Sequence, residues 1–123
     1  MSGIDFLADT NFLIYVNQGN PIVKPFVSYN YAISFITEIE LKGAFNISKT
    51  QKEQFINMIN DCFIIEMDYK IRTKCIDIRN RYKLKIPDAI ISSSAIIYNL
   101  PLVTSDKEFK KVKELDLIFI DKD

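Results

Sequence analysis

The chain has 123 residues and no histidine, and its 16 lysine and arginine residues are balanced by 16 aspartate and glutamate residues. The length suffices for one domain, residues 1–123, with its own hydrophobic core, and the balanced charge predicts neither a nucleic-acid partner nor the lack of one. Without histidine, imidazole catalysis and histidine-bound zinc are excluded, so any acid–base or metal chemistry must depend mainly on carboxylates.

Predicted strands and helices alternate along the chain. Strands are predicted at residues 4–9, 31–36, 62–67, 100–105 and 116–121. Helices are predicted at residues 10–17, 37–45, 49–61, 68–84 and 87–99. Strands that are apolar on both faces are typical of a buried parallel sheet. The pattern therefore predicts an α/β sandwich around a central, mostly parallel sheet.

The cysteines and the start of the chain indicate the compartment. Cys62 and Cys75 are too few for a disulfide scaffold or a zinc ribbon, so we interpret them as reduced thiols. The first residues include Asp5 and Asp9 and no basic n-region, which argues against a signal peptide. No apolar run approaches the roughly 18 residues of a membrane span. We therefore expect a cytoplasmic protein with no membrane segment.

Acidic residues lie at four places where predicted strands end or helices begin. Asp9 ends the first strand, Glu38 and Glu40 are the two candidates after the second, and Asp106 follows the fourth. Asp88 begins a helix, one residue after a proline. Because sites in parallel sheets form at the carboxyl ends of the strands, we expect these acids to lie close together.

Each acid also has a purely structural explanation. Asp9 and Asp106 are suited to cap a helix or a turn, and Asp88 is favoured by the helix dipole in a first turn. Thr37 and Glu40 have the spacing of a capping box. Together these explanations are weaker, because crowded carboxylates repel one another. Mg²⁺ relieves that repulsion and pairs with substrate phosphates, so the combination predicts a metal-dependent enzyme acting on phosphate esters.

Three segments extend this interpretation to a family. The chain resembles the PIN-domain nucleases, in particular the VapC-type toxins of bacterial toxin–antitoxin pairs, along essentially its whole length. The segments that carry the resemblance are "LADTNFLIY", "ISFITEIELKG" and "IPDAIISSSAIIYNLPLVTSDKEF". The last is the most specific, with an Asp that opens a helix, a Leu-Pro-Leu-Val strand and a Thr-x-Asp-x-x-Phe motif.

The resemblance implies roles for individual residues. The catalytic, metal-binding acids would be Asp9, Glu40, Asp88 and Asp106. Glu38 remains an alternative to Glu40, because the glycine that follows is one residue closer than in the family's motif. Asn11 and Thr104 match residues of the family that support these acids.

The resemblance also implies a fold, an activity and partners. The fold would be a three-layer α/β/α sandwich, and the activity would be RNA cleavage with Mg²⁺ or Mn²⁺. Attack of an activated water would leave a 5′ phosphate and a 3′ hydroxyl. The chain would act as a toxin that inhibits translation or growth. A small antitoxin protein would inhibit it, and it would form a homodimer.

A basic segment precedes Asp88. Seven basic residues lie between Lys70 and Lys85, against the single acid Asp77. Those nearest Asp88 are the candidates for RNA binding: Arg79, Arg81, Lys83 and Lys85. The alternative is an ordinary solvated helix face.

Two other functions remain open at this stage. One is a PIN scaffold that serves as an RNA- or protein-binding module with negligible cleavage, and the other is a housekeeping RNA-processing nuclease. Divalent-metal binding distinguishes the module from an enzyme, and a small open reading frame immediately upstream distinguishes a toxin from a housekeeping nuclease.

Overall fold

A computed structural model describes residues 3–121. Within these residues the strands are Phe6–Ala8 (β1), Tyr31–Ser34 (β2), Phe63–Ile65 (β3), Leu102–Thr104 (β4) and Leu117–Phe119 (β5). The α-helices are Thr10–Asn17 (α1), Phe35–Lys42 (α2), Lys49–Asn60 (α3), Tyr69–Arg81 (α4) and Ile86–Ile97 (α5). Short 3₁₀ helices occupy Pro21–Val23 and Lys107–Lys111.

The strands form one parallel sheet in the order β3-β2-β1-β4-β5. β1 lies at the centre, and Ala8 is in register with Ile33 of β2 and Val103 of β4. All four strand pairings are parallel, which confirms the predicted sheet. The chain moves to one side of β1 for β2 and β3, and to the other side for β4 and β5. The carboxyl ends of β2 and β4 therefore lie on either side of the carboxyl end of β1.

Helices cover both faces of the sheet. Leu7 belongs to a core cluster that includes α4 and α5 residues, whereas its neighbours Phe6 and Ala8 belong to a second cluster with α1 and α3 residues. This alternation follows from the two-residue period of a strand. It confirms the three-layer α/β/α sandwich.

The junction between β2 and α2 differs from the prediction. The strand ends at Ser34, and Phe35 and Ile36 are already helical. The side chain of Ser34 accepts a hydrogen bond from the backbone N–H of Ile36 at 3.1 Å, so Ser34 is the N-cap. The predicted capping box with Thr37 as its first residue is therefore wrong. An apolar segment such as Phe35–Ile36 suits a buried strand or a helix equally well, and the serine decides between them.

The end of α4 also differs. The helix stops at Arg81 rather than at residue 84, and Tyr82 is extended. Leu84 is then buried in the core beside α4 and α5. The two cysteines are free thiols, and no helix in residues 3–121 is long and apolar enough to cross a membrane.

Candidate active site

The sheet order brings the four acidic residues together. Asp9 follows the central strand, Asp106 follows β4, Glu40 lies in the helix after β2, and Asp88 lies in the first turn of α5. All four line one cavity of about 470 Å³, which we call the acidic pocket. Its walls also include apolar side chains, among them those of Ile14, Leu41 and Phe55.

Asp9 is the most buried of these acids, with only 3% of its surface exposed. Its Oδ1 accepts a hydrogen bond from the N–H of Phe12 at 2.9 Å, so Asp9 does cap α1. Its Oδ2 accepts one from the hydroxyl of Thr104. Burial raises the pKa of Asp9 to about 6, and the nearby charges of Asp106 and Asp88 add to the rise. The cap and a place in the acidic pocket therefore coexist in one residue.

Thr104 connects two of the acids. Besides donating to Asp9, its hydroxyl accepts a hydrogen bond from the backbone N–H of Asp106 at 3.0 Å. The carboxylate of Asp106 in turn accepts a bond from the N–H of Glu108 at 2.9 Å and caps the second 3₁₀ helix. One buried hydroxyl thus sets the separation between the end of β1 and the loop after β4.

Asp88 lies within electrostatic reach of the other acids. Burial raises its pKa, and the charges of Asp106 and Glu40 raise it further, while Lys85 opposes the rise. Coulombic effects of this kind require short separations. The charges of Asp106 and Glu40 therefore disfavour the ionised form of Asp88.

The structure separates the two candidate glutamates. Glu40 lines the acidic pocket and accepts a hydrogen bond from the hydroxyl of Thr10 at 2.6 Å. Glu38 forms an ion pair with Lys42 on the same helix at 2.6 Å and is not among the residues that line the pocket. The geometry therefore favours Glu40 over Glu38.

Two contacts of these segments were not predicted. Thr10 contacts Glu40 at the pocket. The hydroxyl of Tyr15 lies 3.0 Å from that of Ser105, the residue before Asp106. The position of Thr10 directly after Asp9 is the sequence feature that could have indicated its place at the pocket. Asn11, by contrast, was predicted to support the acids, and it lines the pocket with an exposed side chain.

Comparison with known proteins agrees with this geometry. Residues 6–115 match the family model described as PIN domain. The chain belongs to the PIN-domain family.

Relatives of this PIN domain match it over almost their whole length. It is 27% identical over 128 residues to "Ribonuclease VapC" of Rickettsia bellii (strain RML369-C), covering 93% of this chain and 95% of that protein. A chain of a solved toxin-antitoxin complex from Klebsiella pneumoniae is 29% identical, with a TM-score of 0.78 and coverage of 93% of this chain and 96% of that chain. A chain of VapBC-1 from nontypeable Haemophilus influenzae is 28% identical, with a TM-score of 0.77 and coverage of 94% and 98%.

The donor chemistry of the PIN-domain pocket fits Mg²⁺ or Mn²⁺, because both ions take oxygen ligands. Among residues 3–121, no three carboxylate or thiol side chains are placed to hold a metal ion together. Mg²⁺ does not require such a cage, since it keeps several waters and binds one or two carboxylates together with substrate phosphates. The pocket therefore fits an ion that is bound jointly with a phosphate better than a permanent structural ion.

The four predicted RNA-binding residues do not form one patch beside the acids. Arg81 pairs with Asp77 and Glu114, each at 2.8 Å. Arg79 donates a hydrogen bond to the carbonyl of Leu84 at 3.1 Å. The remaining pair are exposed lysines, Lys83 and Lys85. Since Lys85 is close enough to lower the pKa of Asp88, it is the best placed of the four to meet a phosphate at the pocket.

Proposed function

We propose that this PIN domain is a Mg²⁺- or Mn²⁺-dependent endoribonuclease and the toxin of a toxin–antitoxin pair, inhibiting translation or growth in the cytoplasm. The observation that carries the proposal is the acidic pocket, in which Asp9, Glu40, Asp88 and Asp106 converge although their charges repel. A relative named as a ribonuclease supports RNA as the substrate.

In the proposed reaction one or two carboxylates of the pocket would hold a cation jointly with a phosphate of the RNA. A bound divalent cation supplies positive charge that offsets the phosphate and lowers the pKa of a water. Thr104 holds Asp9 and the backbone of Asp106 in place, and Thr10 holds Glu40. In-line attack of water breaks the bond between phosphorus and the 3′ oxygen, which takes up a proton. The products are a 5′ phosphate and a 3′ hydroxyl.

Cleavage of labelled total RNA and tRNA tests the proposal. The protein is incubated with Mg²⁺, with Mn²⁺ and with EDTA, beside an Asp106→Asn variant. We expect discrete, metal-dependent fragments with 5′ phosphates, and their loss in the variant. Glu66→Gln is the matched control, because Glu66 also follows a strand of the sheet but lies outside the acidic pocket. No cleavage by a folded, metal-loaded protein would favour a binding module instead.

We also propose a small antitoxin protein as partner and a homodimer as the assembled form. The support for the antitoxin is the likeness, at 29% and 28% identity, to chains from a solved toxin-antitoxin complex and from VapBC-1. The homodimer stays a prediction from the family resemblance. Co-purification with the product of an adjacent small open reading frame, with the mass of the complex measured by light scattering, tests both. A monomer that captures no such product would contradict them.

A further inference from the structure

The structure assigns a positioning function to Thr10: its hydroxyl, itself oriented by Thr37, holds the carboxylate of Glu40 at the acidic pocket. This inference rests on the proposed metal-dependent function, because it concerns how one of the acids is presented to a cation. The residues come from two different helices. Thr10 begins α1 directly after Asp9, whereas Thr37 and Glu40 lie one turn apart on α2.

The direction of the hydrogen bonds follows from the chemistry of the groups. The hydroxyl of Thr10 lies 2.6 Å from Oε1 of Glu40, a distance typical of a hydroxyl that donates to a carboxylate. Because an ionised carboxylate only accepts, Thr10 must donate its single proton to Glu40. The hydroxyl of Thr37 lies 3.0 Å from that of Thr10. Thr37 must then be the donor in that contact, so the chain runs from Thr37 through Thr10 to Glu40.

The two ends of this series of hydrogen bonds differ in burial. Thr37 is fully buried, with 0% of its surface exposed, whereas Glu40 is exposed. An exposed glutamate has several rotamers, and holding it in one of them costs conformational entropy. Threonine is stiff at χ1, and Thr10 directly follows the buried, doubly hydrogen-bonded Asp9. Thr10 thus provides a rigid anchor that orients Glu40 into the pocket.

The experiment compares Mn²⁺ binding by calorimetry among folded variants. Thr10→Val keeps the shape of the side chain but removes the hydroxyl, and we expect it to weaken Mn²⁺ binding about tenfold to a hundredfold. Thr10→Ser keeps the hydroxyl and should bind within about threefold of the wild type. Thr73→Val, on the exposed face of α4, is the matched control and should bind as the wild type does.

Two further measurements separate positioning from a general effect on structure. In an Glu40→Gln background, Thr10→Val should cause little further loss, because the two residues act through one interaction. In RNA cleavage, Thr10→Val should lower kcat while the KM for RNA stays unchanged. If Thr10→Val does not fold, Thr37→Val replaces it, since that change leaves the bond between Thr10 and Glu40 in place. It should weaken Mn²⁺ binding in the same direction, by less.

The outcomes distinguish this inference from the function on which it rests. A wild-type protein that neither binds Mn²⁺ nor cleaves RNA in its presence would overturn the proposed function and this inference with it. Wild-type binding that Thr10→Val leaves equally tight would overturn this inference alone. An equal additional loss from Thr10→Val with and without Glu40 would also overturn it, because the hydroxyl would then act elsewhere.

Discussion

The acidic pocket and a charged network along α4 hold carboxylates in opposite environments. In the pocket, Asp9 is buried beside Asp88 and Asp106, and burial raises its pKa to about 6. On α4, hydrogen bonds from Arg81 and a neighbouring lysine lower the pKa of Glu114 to about 2. The members of this α4 charge network are Lys74, Asp77, Arg81 and Glu114.

The opposite pKa shifts show that ionised carboxylates of the α4 charge network stabilise the fold, whereas the ionised form of Asp9 destabilises it. Glu114 joins the segment before β5 to α4, and its ionised form is favoured by its partners. The ionised form of Asp9 is disfavoured, and a rise of about two pKa units corresponds to about 3 kcal/mol at most. A chain that keeps such a group at the end of its central strand loses stability there. Loss of stability at one cluster is expected where the cluster has a function.

The largest difference between the acidic pocket and the α4 charge network is expected in RNA cleavage, when one aspartate of each is replaced by asparagine. Asp88→Asn removes a pocket carboxylate and should lower kcat/KM for RNA about a thousandfold, because several kcal/mol of charge stabilisation depends on the acids. Asp77→Asn removes a carboxylate that contacts Lys74 and Arg81 instead, and should leave cleavage within about twofold of the wild type. Similar losses in both variants, measured under single-turnover conditions, would contradict the distinction.

A second comparison uses the dependence of stability on pH in EDTA. The pKa of Asp9 is higher in the folded chain, about 6, than its ordinary value of 3.8. Its contribution to stability is therefore fully present below 3.8 and is lost as pH rises through about 6. Glu114 has the opposite sign, because its pKa falls from 4.5 to about 2. Its contribution is present above 4.5 and is lost as pH falls towards 2.

Urea unfolding between pH 5 and pH 8 measures the first of these slopes. We expect the wild type to gain stability as the pH falls through this range. Asp9→Asn should flatten the slope, because the titrating carboxyl group is gone while the amide oxygen still caps α1. Glu114→Gln is the control and should keep the wild-type slope in this range. A wild type whose stability rises from pH 5 to pH 8 would show that burial does not raise the pKa of Asp9 in the folded protein.

The smallest effect is expected from breaking the α4 charge network. Glu114→Gln removes the acceptor of two ion pairs and should lower the Tm by a few degrees at low salt, because exposed pairs contribute little. High salt should reduce the difference, since it screens these charges. Glu53→Gln, on the exposed side of α3, should change the Tm less. A salt-independent loss would instead indicate a packing role for the Glu114 side chain.

Prediction was most accurate where one local signal had no competitor. Helix α1 was predicted at residues 10–17 and forms at Thr10–Asn17. There an aspartate caps the first turn, and a Gln-Gly-Asn-Pro segment ends the helix. At the start of α2, the spacing of Thr37 and Glu40 suggested a capping box, whereas the observed N-cap is Ser34. The predicted strand is therefore two residues too long.

By itself, the sequence determined the alternation of strands and helices, the parallel sheet, and the placement of acids at strand ends, because periodicity and capping are local. Tertiary structure alone decided which charges act together. Thr10 reaches Glu40 across 30 residues, and Glu40, not Glu38, lines the acidic pocket. Glu114 reaches Arg81 across 33 residues, which directs that arginine to an ion pair rather than to the pocket. Contacts across such separations exist only once the sheet order has brought the elements together.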